Sequence, residues 1–69
     1  MSNLIAKWAT RGKDYLELYK GNTLRDYYYK GNGCGGGFYA DTNEAAILRI
    51  ENDQVKWLKM YRPSLKRTK

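Results

Sequence analysis

Residues 27–39 have the sequence YYYKGNGCGGGFY, and this stretch decides how the rest of the chain is organised. It holds five of the chain's ten aromatic residues and five of its seven glycines. The three tyrosines predict a strand, because aromatic rings suit a pleated, half-buried surface. Asn32-Gly33 predicts a two-residue hairpin turn, since a type I′ turn needs positive φ at both central positions.

A turn at Asn32-Gly33 also sets the register of the hairpin. It predicts three cross-strand pairs: Tyr29 with Gly36, Tyr28 with Gly37 and Tyr27 with Phe38. Tyrosine rings then cover a strand that has few side chains of its own, which is one way in which glycine-containing strands are stabilised.

The sequence before the hairpin predicts further strands. Residues 14–20 alternate, with leucines on one side and Glu17 and the tyrosines on the other. Short turns rich in glycine separate the alternating segments. The pattern predicts a four-stranded antiparallel meander, with strands near 4–10, 14–20, 24–30 and 36–40.

The segment after the meander permits two interpretations. Asp41–Glu44 has the spacing of a capping box and Ala45-Ala46 are strong helix formers, which favours a short helix over about 42–51. Alternation through residues 46–61 instead fits two more strands, which gives an all-β small barrel. We favour the helix and therefore predict an α+β fold, predominantly antiparallel β, with the small barrel as the alternative.

The boundaries at the C-terminal end follow from local breakers. Asn52-Asp53 is expected to end the preceding element, residues 54–61 fit a last strand or a short helix, and Pro63 ends regular structure. We predict a single small domain over 1–63 and a basic, disordered tail over 64–69. So small a core gains stability from a partner, and a homodimer is one such arrangement.

Composition restricts the compartment and the chemistry. The start of the chain lacks the pattern of a signal peptide, no apolar run has membrane-spanning length, and the lone Cys34 forms no internal disulfide, so we expect a cytoplasmic protein without a membrane partner. Histidine is absent and the acidic residues show no converging spacing. We therefore expect no enzyme activity, no metal and no cofactor.

Residues 31–36 match the pattern G-x-G-x-x-G. A dinucleotide-binding fingerprint needs the third glycine to open a helix, whereas here the glycines lead into a strand-like segment. A plain hairpin is the favoured interpretation, and an anion-binding nest of backbone amides is the alternative.

Charge and aromatic residues together suggest the function. The net charge of +6 lies entirely in residues 54–69, because the seven basic and seven acidic residues of 1–53 cancel. Lysines and arginines also neighbour tryptophans and tyrosines along the chain, and proteins that hold single strands combine stacking rings with a basic groove. We predict a small nucleic-acid-binding module, for single strands or duplex, with contacts from Tyr28, Lys30, Lys56, Lys59, Arg62, Lys66 and Arg67.

The alternative function is protein binding. Tyrosine-rich surfaces bind proteins well, since tyrosine offers a large contact area at low entropic cost. A phage or mobile-element protein that masks a host protein would fit, with its basic end against an acidic protein or a nucleoprotein complex. Nucleic-acid binding predicts Tyr28, Lys30, Lys56 and Lys59 on one continuous face.

Overall fold

The computed structural model describes residues 3–22, 26–32 and 34–69. Five strands form one antiparallel sheet in the order β4-β3-β2-β1-β5. They are β1 (Leu4–Ala9), β2 (Tyr15–Lys20), β3 (Asp26–Gly31), β4 (Cys34–Tyr39) and β5 (Lys66–Arg67). The predicted α+β class is confirmed, and the barrel alternative is wrong, because the described sheet ends at β4 and β5 and does not close.

The predicted hairpin register is confirmed. β3 and β4 pair with Tyr29 opposite Gly36, Tyr28 opposite Gly37 and Tyr27 opposite Phe38. Gly33 of the predicted turn and residues 24 and 25 of the predicted third strand lie outside the described residues.

One face of the sheet forms the core. Alternation along β1 and β2 turns Ala6, Trp8, Leu16 and Leu18 to this face, where all four are buried. β3 and β4 contribute Tyr27 and Phe38, and residues 46, 50, 55 and 65 pack on them in a single apolar cluster. The helical segment therefore covers one face, and no other described element covers the opposite face.

β4 depends on rings from its neighbour, because Phe38 is its only buried side chain. The Tyr29 ring lies over Gly36 so closely that a Cβ built there would be 2.9 Å from the tyrosine oxygen and 3.1 Å from two ring carbons. The Tyr27 ring stacks on Phe38 at a centroid distance of 5.9 Å. Its hydroxyl donates to Asn43 Oδ1 at 2.8 Å, which ties β3 to the helix start.

The predicted helix is confirmed as α1 (Asn43–Ile50). Its N-cap is Thr42, one residue later than the predicted capping box, and the Thr42 hydroxyl oxygen accepts from the Ala45 amide at 3.0 Å. This satisfies one of the amides that a helix start leaves without a partner.

The expected break at Asn52-Asp53 is wrong. A π-helical turn (Glu51–Val55) carries the chain into α2 (Lys56–Tyr61), which decides residues 54–61 in favour of helix. In a regular α-helix the side chains of Ile50 and Val55 would be about 140° apart around the helix axis, so only one of them could face the core. The wider π turn brings both side chains into the core, where Ile50 and Val55 are buried. The helix then ends at Tyr61, and Arg62, which precedes Pro63, has an extended φ of −135°.

The C-terminal residues belong to the sheet, which differs from the predicted disordered tail over 64–69. Lys66 pairs with Ala9 and Arg67 with Trp8, and the Thr68 amide donates to the Lys7 carbonyl at 2.7 Å. Leu65 is 3% exposed and packs in the core. This apolar contact fixes the end of the chain against β1.

We expect Gly36→Val to lower the free energy of unfolding by roughly 1–3 kcal/mol, because the added side chain overlaps the Tyr29 ring. Gly37→Val is the matched control. A Cβ at Gly37 would contact only the Tyr27 carbonyl, at 3.5 Å, and neither glycine has positive φ. It should change the free energy by less than about 0.5 kcal/mol in urea unfolding. Equal losses for the two variants would contradict the role given to Tyr29.

Candidate nucleic-acid interface

The sheet face opposite the core, called the open face here, carries two cross-strand rows. The strand register places an aromatic row of Tyr19, Tyr28 and Gly37 beside a charged row of Lys7, Glu17, Lys30 and Gly35. Tyr39 of β4 and Lys66 of β5 extend the same face at its two sides.

Tyr28 has one covered and one accessible ring face. Its ring stacks on Tyr19 with centroids 5.1 Å apart and planes 8° from parallel. On the β4 side its neighbour is Gly37, where a built Cβ would approach no ring atom within 4 Å. Tyr28 is 44% exposed. The space over Gly35 and Gly37 beside Tyr28 is called the glycine slot here, and β4 places no side chain in it.

The charged row keeps Tyr19 in place and leaves Lys30 available. Glu17 Oε1 accepts from the Tyr19 hydroxyl at 3.0 Å, and Glu17 Oε2 lies 3.8 Å from Lys7 Nζ. Desolvation, together with the hydrogen bond to Glu17, raises the pKa of Tyr19, so its phenol stays neutral at neutral pH. Lys30 Nζ lies 5.4 Å from the Tyr19 ring centroid and has no ion pair with a described carboxylate.

The structure brings together three of the seven predicted contact residues. Tyr28, Lys30 and Lys66 share the open face. The continuous face that the sequence predicted is not formed, because Lys56 and Lys59 lie on α2 in the helical layer. Arg67 pairs with Trp8, so it lies on the core side of β5 and not on the open face. Its Nε donates a hydrogen bond to the Lys69 carbonyl.

The seventh residue, Arg62, has a structural contact. Its Nε donates to Asp14 Oδ2 at 2.8 Å, while Asn32 Nδ2 donates to Asp14 Oδ1 at 2.6 Å. Asn32 Oδ1 in turn accepts from the Tyr15 amide at 3.1 Å. This Asp14–Asn32–Arg62 cluster joins the β1–β2 loop, the hairpin turn and the end of α2.

Sequence analysis did not select Tyr19, Gly37 or Lys7 as site residues. The alternation of residues 14–20 already placed Tyr19 opposite the leucines, and the predicted register placed Gly37 across from Tyr28. These two patterns assign Tyr19 and Gly37 to a face of their strands, but the aromatic row also requires the register of β2 with β3. Assigning Lys7 to the charged row requires the register of β1 with β2, which local sequence does not specify.

The helical layer exposes a second apolar surface, called the α2 surface here. Trp57, Met60 and Tyr61 lie at helical spacing and are 58%, 74% and 58% exposed. The Trp57 and Tyr61 ring centroids are 4.8 Å apart. A cavity of about 300 Å³ separates these rings from Tyr15 and Leu65.

Comparison with known proteins gives no match to a family model, to a curated protein or to a solved structure. Among the helices of residues 43–61, none combines the length and apolar character that crossing a bilayer requires. The described residues hold no group of three or more Cys, Asp or Glu side chains placed to bind a metal ion.

The Asp14 cluster predicts a measurable titration. The hydrogen bond from Asn32, followed by Arg62, lowers the pKa of Asp14 below 3.8, while desolvation acts in the opposite direction. The folded state therefore binds this proton less readily than the unfolded state. The stability that Asp14 contributes is present above pH 3.8 and is lost as the pH falls through the folded-state pKa.

We expect the Asp14 carboxyl carbon, followed by NMR, to titrate with a midpoint below 3.8. Asn32→Ala and Arg62→Gln should each raise this midpoint, because each variant removes a group that lowers the pKa of Asp14. A midpoint at or above 3.8 in the unmodified protein would contradict the cluster geometry.

Proposed function

We propose that the protein is a non-enzymatic nucleic-acid-binding module that holds single strands on its open face. The observation that carries the proposal is the accessible ring of Tyr28 beside the glycine slot. An aromatic ring without side chains on its outer side offers a stacking platform, and base–aromatic stacking contributes roughly 1–3 kcal/mol per base.

The chemistry around the slot supports a nucleotide. Lys30 neighbours Tyr28 and supplies a cation with no ion pair in the described structure, as a phosphate contact requires. Tyr39, 74% exposed, lies on the same strand as the slot and adds a second ring. Glycine at 35 and 37 lets the base approach the backbone.

The slot favours single strands over duplex. A ring can stack on a base only when the base is free of its own neighbours, and duplex bases present their edges and not their faces. Duplex would therefore engage only the lysines, through its phosphates. The different contacts give the two ligands different sensitivities to substitution.

We expect Tyr28→Ala to weaken binding of a fluorescent single-stranded oligonucleotide about 5- to 100-fold in anisotropy titrations, and to weaken duplex binding less. Tyr61→Ala is the matched control, because it removes another exposed tyrosine, which lies on α2 and not on the sheet. Gly37→Val fills the slot without disturbing the core and should mimic Tyr28→Ala. Equal loss for single strand and duplex, with a lower melting temperature, would mean that Tyr28 acts only in folding.

A second candidate function is protein binding, and the α2 surface is the observation that favours it. Aromatic residues and methionine are enriched in interfaces, and three such side chains lie exposed on one helix face. Lys56 and Lys59 flank them without an acidic residue between 54 and 69, which suits an acidic partner or a nucleoprotein complex.

Photo-crosslinking separates the two candidates. A benzophenone amino acid at position 60 should give adducts with one protein if the α2 surface is an interface, and Trp57→Ser should abolish them. The same probe at position 28 should give nucleic-acid adducts if the open face binds strands. Crosslinks at position 60 that spread over many proteins and persist in Trp57→Ser would argue against the second candidate.

A further inference from the structure

We infer that a groove at the β1–β5 edge is a binding site for the phosphate groups of the bound strand. This inference rests on the proposed function and adds a second contact point to it. The groove has a volume of about 360 Å³ and is lined by Ala9, Thr10, Arg11, Ser64, Lys66 and Thr68. It is called the edge groove here.

The edge groove belongs to the open face. Lys66 pairs with Ala9, which shares its side of β1 with Lys7. Thr68 lies two residues beyond Lys66, and Ser64, in the turn before β5, lines the same groove. Two contacts hold residues 64–68 against β1: the backbone pairing of β5 with β1 and the burial of Leu65 in the core.

The lining supplies the groups that recognise phosphate. Arg11 and Lys66 are cationic, and neither forms an ion pair with a described carboxylate. The Thr10 hydroxyl oxygen accepts from the Gly12 amide at 3.2 Å, which leaves its proton available to a ligand. The Ser64 hydroxyl has no hydrogen-bond partner among the described residues, and guanidinium, ammonium and hydroxyl groups are common donors to phosphate oxygens.

Nearby acidic groups are already engaged. The Asp14 carbonyl accepts a hydrogen bond from the Thr10 amide at 3.1 Å. The Asp14 carboxylate accepts hydrogen bonds from Asn32 and Arg62. Glu17 directs its carboxylate to Tyr19 and Lys7. The six lining residues include no acid. An anion in the edge groove therefore meets cations whose charge no described partner neutralises.

The spacing suits one continuous strand. Tyr28 and Lys66 lie on strands three positions apart, which is about 14 Å, and their rows are offset along the strands by the four residues from Tyr19 to Tyr15, which is about 13 Å. The direct separation is therefore about 20 Å, and at about 3.4 Å per nucleotide in a stacked strand roughly six nucleotides connect Tyr28 to the edge groove. One end of a short strand then stacks on Tyr28 while its backbone reaches Arg11 and Lys66.

The first test uses inorganic pyrophosphate as the probe and amide NMR spectra of the full chain as the readout. We expect saturable shifts at residues 10–12 and 64–68, and their loss in the double variant Arg11→Gln/Lys66→Gln. The matched control Lys56→Gln/Lys59→Gln removes the same charge from α2 and should keep the shifts. Shifts spread evenly over all cationic residues would overturn the site.

The second test measures oligonucleotide affinity across a salt series. The magnitude of the slope of log K against log salt should fall by roughly 0.7 for each contact removed, and so by roughly 1.4 in the Arg11/Lys66 variant. The α2 variant should keep the slope of the unmodified protein. Thermal unfolding of each variant checks that the fold is retained.

The outcomes separate this inference from the proposed function. An unchanged slope in the Arg11/Lys66 variant, with Tyr28→Ala still defective, overturns the edge groove and leaves the open face standing. Saturable pyrophosphate binding without any oligonucleotide binding overturns both the proposed function and the inferred ligand. Loss of groove shifts together with a reduced slope supports the inference.

Discussion

The Tyr29 ring over Gly36 is the contact on which the rest of the structure depends. β4 has a single buried side chain, so it holds its place in the sheet through backbone pairing and through rings that β3 supplies. Glycine at 36 is what allows the ring to lie so close. The strand that follows then delivers Phe38 to the core and leads directly to Thr42, where the helix begins. On the open face, β4 also lacks side chains at positions 35 and 37, and this absence produces the glycine slot beside Tyr28.

Local patterns were sufficient for the meander, the hairpin register and the start of the helix. Each is decided by neighbours in sequence: the position of Asn32-Gly33 predicts the pairs of β3 with β4, and the capping pattern of Asp41–Glu44 predicts the helix start to within one residue of the observed cap, Thr42. The open face is predictable in part, since alternation separates the two faces of β2 and of β3, but the pairing of Tyr19 with Tyr28 also requires the register of these two strands. Local sequence does not predict which cations share the face with these tyrosines, because Lys7 and Lys66 are placed there by pairing between distant parts of the chain.

The parts that sequence analysis missed are decided by tertiary packing. Asn52-Asp53 has weak helix propensity, but burial of Ile50 and Val55 on either side of it favours a helix with a widened turn. The C-terminal residues lack any strand pattern, yet Leu65 fills the core and brings Lys66 to the edge of β1. Neither outcome could follow from propensity, because in both cases the gain comes from residues remote in sequence.

The cations that are clustered in the sequence at residues 54–69 do not form one patch on the surface of the structure. The six cations of residues 54–69 are distributed by the helix, the Asp14 contact and the alternation of β5, and only Lys66 is placed by register on the open face. At its centre that face has Glu17 between Lys7 and Lys30, so it offers little net charge where Tyr28 stacks. If the open face holds a single strand, as we propose, stacking there depends on the Tyr28 ring, and most of the attraction for a polyanion comes from the periphery. The edge groove, with its cationic and hydroxyl groups, would then hold the backbone while the bases reach the glycine slot.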